Sequence, residues 1–94
     1  MRDREELVNE VVLDNDDRLG YIYRSIARDH GLSEREAEIL GYVARGHTRA
    51  FICESLDIAP GTVKTHIGNI YKKIDCHNRE EVLALVRRYT TFNE

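Results

Sequence analysis

No apolar run in the 94 residues approaches the roughly 18 that a helix needs to cross a bilayer. No apolar core of a signal peptide stands at the start. No stretch alternates apolar and polar residues with the period of two that marks a half-buried strand, so nothing argues for a sheet. There is no internal repeat and no low-complexity segment. A Gly-rich phosphate loop, a nucleophile motif and a carboxylate pair in a catalytic setting are all missing, so the chain does not read as an enzyme. The two cysteines, Cys53 and Cys76, form no Cys-x-x-Cys. With His66 and His77 they still lack metal-ligand spacing, since Cys76 and His77 are adjacent, a poor geometry for chelation. They read as reduced thiols of a cytoplasmic protein, and no metal or cofactor is implied.

The remaining composition, 41% hydrophobic and 33% charged, is that of a globular chain. Its length suits one small domain with a single modest core. An overall basic excess is also lacking, because the formal net charge is −3. The distribution is uneven, however. Residues 1–38 carry six arginines against eleven acidic residues, whereas residues 39–94 carry eight basic against six acidic. Within 60–79, Lys64, Lys72, Lys73 and Arg79 face only Asp75, with His66 and His77 nearby. A local basic patch is enough to attract phosphate. The acidic first third limits non-specific attraction of phosphate polymers, faces another partner or is a solvated surface.

The apolar residues recur at helical spacing throughout. Leu7, Val8, Val11 and Val12 share a face over 4–13 before Asp14-Asn15-Asp16-Asp17 breaks the pattern. Leu19, Ile22, Tyr23, Ile26 and Ala27 predict a helix over about 17–30, stopped by Gly31. Ser33 and Glu36 form a capping box. Ile39, Leu40, Val43 and Ala44 make the stripe of the helix that follows, and Gly46 ends it. Thr48 caps a short helix to Leu56 with Ile52, Cys53 and Leu56 inward. Asn78 and Glu81 make a second box-like pair before a helix striped by Val82, Leu85, Val86 and Tyr89. Residues 90–94 read as a frayed tail.

The most telling stretch runs from Leu56 to Tyr71. A short helix ends, Asp57-Ile58-Ala59 turns, and Pro60 opens a second helix at the position where no N–H is needed. Val63, Ile67, Ile70 and Ile74 share one face. Lys64, Thr65, Gly68 and Lys72 share the opposite one. This pattern predicts a helix-turn-helix whose second helix, about 60–75, lies in the major groove of DNA.

The ordered set Leu32-Ser33, Arg35-Glu36, Ile39-Leu40, Val43-Ala44, Gly46, Thr48, Ile52, Leu56, Ile58, Thr62-Val63-Lys64, His66, Asn69-Ile70, Lys73-Ile74 and Arg79 strongly resembles the DNA-binding domain of LuxR/FixJ/NarL-type bacterial transcription regulators. The resemblance covers about residues 32–88. It implies an all-α fold with a four-helix domain over 32–89; the apolar patterns over 4–13 and 17–30 add one or two helices before it, in a 1–31 extension or linker. It also implies double-stranded DNA as the partner, and a homodimer on it. By position, Lys64 and Thr65 reach base edges or phosphates. Lys72 extends the basic face, and Thr62 either contacts DNA or caps the first turn. His66, Asn69 and Lys73 lie along the flank, near the backbone or in supporting hydrogen bonds, and Arg49 reaches phosphate near the start of the preceding helix. The last helix offers Val82, Leu83 and Val86 to a second copy. Ala59 departs from the usual serine cap. Gly68 replaces a larger polar residue, and Ala50-Phe51 replaces a Lys-Glu pair, which leaves an aromatic ring at a surface position.

Such domains usually follow a receiver or sensing domain, so the chain reads either as a stand-alone regulator or as an isolated output domain. A sigma-like promoter-reading domain, which would bring RNA polymerase in as a partner, shares the Thr-Val-Lys after the turn. The run from His66 to Ile70 and the helix after Arg79 favour the LuxR-type reading. A protein-interaction module that has lost DNA binding is the alternative of another class, fed by the net charge, Gly68 and Phe51.

Overall fold

A computed structural model describes residues 18–92, the last two by backbone alone. The helix expected over 4–13 lies outside the described residues. Within them the chain is wholly helical, with no strand. Helix α1 covers 18–30, α2 Glu34–Ala44, α3 Arg49–Leu56, α4 Pro60–Ile74 and α5 Arg79–Phe92.

Local chemistry sets the breaks. Gly31, at φ 74°, ends α1, and the Leu32 N–H donates back to the Ala27 carbonyl at 2.9 Å. The capping box forms as expected: the Glu36 N–H donates to Ser33 Oγ at 3.1 Å, and the Ser33 N–H donates to Glu36 Oε1 at 2.9 Å. Thr48 Oγ1 accepts the Phe51 N–H at 3.1 Å and caps α3. Helices α3 and α4 both end on an aspartate in the left-handed region, Asp57 and Asp75, each at φ 56°. Aspartate tolerates that conformation better than most side chains.

The start of α5 departs from the expected pairing in one bond. Asn78 Oδ1 accepts the Glu81 N–H at 2.9 Å, but Glu81 Oε1 accepts from the His77 N–H at 2.7 Å rather than from that of Asn78. The glutamate thus satisfies a donor one residue further back, beside the imidazole it also meets at 3.3 Å. Helix α5 then continues past Tyr89 to Phe92.

The apolar stripes converge on one core. Ile26, Ile39, Leu40, Ile52, Val63, Ile70 and Val82 are fully buried, one or more from every helix. Ile67 and Leu56 sit at its margin, only partly buried. Cys76, which no stripe marked, is buried, and burial pushes its thiol up. Helix α1 is a packing element of this core through Ile22, Tyr23 and Ile26, and Ala27 is buried too. A Cβ on Gly41 would stand 3.0 Å from the Tyr23 ring, so that glycine lets α1 lie directly on α2. At the far end the Tyr89 hydroxyl donates to Asp29 Oδ2 at 2.6 Å and ties α5 to α1. Burial and the aspartate push the Tyr89 phenol up to about 12.

Candidate nucleic-acid interface

Helices α3 and α4, joined by Asp57-Ile58-Ala59, form the turn pair. Left-handed Asp57 reverses the chain, and the Ile58 N–H donates to the Cys53 carbonyl at 3.1 Å. Val63, Ile70 and Ile74 bury one side of α4. The other side is exposed at Gly61, Thr62, Lys64, Thr65, Gly68, Asn69 and Lys72. At 100° per residue, Gly61, Thr65, Gly68 and Lys72 fall at the centre of that side, flanked by Lys64 and Asn69. Thr62, Thr65, Asn69 and half-buried His66 line a shallow depression together with Ala59 and Gly61.

The expected residues divide into two groups. Lys64, Thr65, Thr62, Asn69 and Lys72 make no side-chain hydrogen bond or ion pair among the described residues, and neither does Arg49 at the start of α3. Lys73 does. Its ammonium donates to Glu36 Oε1 at 2.9 Å, across to α2. That same oxygen takes the Ser33 N–H, so one buried carboxylate caps α2 and anchors α4. Burial pushes the Glu36 carboxyl up, but the Ser33 N–H, Lys73 and the nearby His66 outweigh it and hold it below the ordinary carboxylate value. Lys73 thus points toward the body of the domain, apart from the unpaired cations.

Arg79 is also committed inward. Its Nε and Nη2 donate to the Val43 and Ala44 carbonyls at 3.1 and 3.0 Å, closing the C-terminal end of α2. Three residues of α5, Val82, Leu83 and Val86, were expected to meet a second copy. Val82 is 0% exposed and Val86 is buried in the domain's own core, so only Leu83 of the three keeps accessible surface. The stripe that marks an apolar helix face does not say which of its members look inward.

Two features of α4 weaken it as a helix. Ala59 makes no side-chain cap bond, a loss of about 1 kcal/mol against serine. Gly68 sits in the helix interior, at about 1 kcal/mol relative to alanine. Phe51, foreseen as a surface aromatic, is 43% exposed. Its ring stacks on His47 with centroids 4.2 Å apart, and Tyr42 meets both rings edge-on. Arg45 lies over the Tyr42 ring at 5.2 Å. Sequence spacing gave no sign of this cluster, which depends on how α2 meets α3.

Among the described residues no group of three His, Cys, Asp or Glu side chains could hold a metal ion, and no helix is long and apolar enough to cross a membrane. The exposed side of α4 instead offers ammonium groups, hydroxyls and an amide on a rigid, anchored rod.

These elements define a helix-turn-helix domain with an extra helix packed in front. The family model "Bacterial regulatory proteins, luxR family" matches residues 30–86, and the chain belongs to that family. Similar curated proteins include the HTH-type transcriptional regulator MalT of Vibrio campbellii, 38% identical over 59 residues, which cover 63% of this chain and 6% of that protein. MalT of Yersinia pestis is 35% identical over 63 residues, 67% of this chain and 7% of the relative. The chain therefore spans only a small fraction of the length of these relatives. No solved structure matches it.

Proposed function

We propose that this chain is a sequence-specific DNA-binding domain of a transcription regulator acting in the cytoplasm, with α4 in the major groove and two copies on a two-fold-symmetric site. The observation that carries the reading is the exposed side of α4. Lys64, Thr65, Asn69 and Lys72 make no side-chain hydrogen bond or ion pair among the described residues, although the same helix is anchored by Val63, Ile70, Ile74 and Lys73. A helix held rigidly on one side and chemically unsatisfied on the other is suited to reading base edges. Arg49 adds a cation at the positive end of α3. Membership of the luxR family and the regulator name of the MalT relatives support this reading over a sigma-like one. A second copy meets the Leu83 side of α5.

The test is titration against a pool of random duplexes at about 50 and 200 mM salt, followed by sequencing of the bound fraction. With Lys64, Lys72 and Arg49 from each of two copies on phosphates, affinity falls about a thousandfold across that range. A two-fold-symmetric motif emerges from the bound pool. Absence of salt-sensitive binding at the lower concentration overturns the proposal in favour of a protein-interaction module.

A further inference from the structure

The glycines of this chain divide by what the fold asks of them. Gly31 and Gly46 have positive φ, at 74° and 87°. Gly41 admits the Tyr23 ring, and a Cβ on Gly20 would come within 3.3 Å of the Arg24 guanidinium. Gly61 and Gly68 meet no such demand. Neither has positive φ, and a Cβ on either would touch nothing within 4 Å. Gly61 lies in the first turn of α4, where glycine is mild, but Gly68 is mid-helix. Both sit two turns apart at the centre of the exposed side, with Thr65 and Lys72 between and beside them. The domain gains nothing from a bare backbone at 68, so the reason for it lies in what α4 approaches.

Resting on the DNA-binding reading above, we propose that Gly68 is a specificity-determining position whose missing side chain leaves a notch, walled by Lys64, Thr65 and Lys72, for the 5-methyl group of a thymine. Base edges in the major groove present hydrogen-bond donors, acceptors and one apolar group, the thymine methyl. Gly68 has no side chain, and its N–H and C=O belong to the ladder of α4. A donor or acceptor brought against it loses water and gains no partner. A methyl group loses nothing and buries its surface against the Cα hydrogens and the Thr65 methyl. A Cβ at 68 fills the space that the methyl occupies.

The test uses the site selected by the chain from random duplexes. Each thymine is replaced singly by uracil, which removes only the methyl, and binding is measured for the wild type and for Gly68→Ala. One thymine in each half-site carries the effect: its conversion to uracil weakens the wild type about three- to fourfold. Gly68→Ala binds the thymine site at least about fivefold more weakly and no longer distinguishes thymine from uracil there. The same variant melts about 4–8 °C higher, because alanine is the better helix former, so the weakened binding does not come from misfolding. Gly68→Ala binding as tightly as the wild type, or indifference to uracil at every thymine, overturns the notch and leaves the DNA-binding reading standing. Failure of the wild type to bind any duplex overturns both.

Discussion

Helices α2 and α4 pack on one another and are finished to different standards. Both ends of α2 are closed by side chains: the Ser33–Glu36 box at one, the Arg79 guanidinium on the Val43 and Ala44 carbonyls at the other. Helix α4 begins on Ala59 with no side-chain cap, carries a glycine mid-helix and leaves Thr62, Lys64, Thr65, Asn69 and Lys72 without a side-chain bond among the described residues. The cap and the glycine together leave α4 about 2 kcal/mol short of what serine and alanine would give it. In a domain of this size that is a noticeable share of the net stability. Helix α2 is thus closed at both ends by the domain's own side chains, whereas α4 is tied into the fold on one side only. A single carboxylate, Glu36, joins them: it caps α2 and takes the Lys73 ammonium of α4, whose buried side is Val63, Ile70 and Ile74.

The largest effect is therefore expected at Glu36. Glu36→Ala removes the reciprocal cap and the partner of Lys73, and lowers unfolding stability by about 2–3 kcal/mol in denaturant titration. The Lys73 ammonium is partly exposed, so screening keeps its share of that small. A loss under about 0.5 kcal/mol would mean that α4 is held by its apolar side alone. The same residue sets an acid limb. Its folded pKa lies below the ordinary value of 4.5. The contribution is therefore complete at pH above that value and disappears as pH falls through the lower folded pKa. Glu36→Gln, which cannot titrate, flattens this part of the stability–pH curve.

Lys64→Ala probes the other side of the contrast. Lys64 is exposed and makes no side-chain bond among the described residues, so thermal unfolding is unchanged while affinity for the selected duplex falls about tenfold. A stability loss equal to that at Glu36, or an unchanged affinity, breaks the division between the two helices.

How far this division was legible in the sequence depends on the range of the interaction. The stripes of Ile39-Leu40-Val43 and Val63-Ile70-Ile74, the Ser33–Glu36 box and the Thr48 cap are written within a few residues of one another, and spacing reveals them. Lys72 and Lys73 look alike in sequence. Only the packing of α4 on α2 brings Lys73, and not Lys72, to a carboxylate 37 residues away. Arg79 reaches carbonyls 36 and 35 residues back, and Tyr89 an aspartate 60 residues back, by long side chains whose partners no local pattern names. Val82 and Leu83 are adjacent apolar residues, and which of them faces the core is decided by the angle at which α5 meets α2. The candidate site was thus legible as a helix face, but its division into free and anchored residues was not.

The smallest expected effect bears on whether α4 is weak at its start because DNA needs it so. Pro60 has no N–H, and the Val63 N–H already donates to the Ala59 carbonyl at 3.0 Å, which leaves the N–H groups of Gly61 and Thr62 unclaimed by any side-chain cap. A serine at 59 has extended backbone ready to receive it, with φ −71° and ψ 150°, close to the −75° and 170° of Ser33, which does cap its helix. Its hydroxyl would accept the Thr62 N–H as Ser33 Oγ accepts that of Glu36. Ala59→Ser therefore stabilises the domain by about 1 kcal/mol in denaturant titration. If the open end is only a missing cap, duplex affinity stays within about twofold. If affinity instead drops as stability rises, as expected of Gly68→Ala, the free N–H groups are themselves phosphate contacts. The exposed side of α4 then extends to its first turn, and its contrast with the closed ends of α2 becomes a direct consequence of what each helix faces.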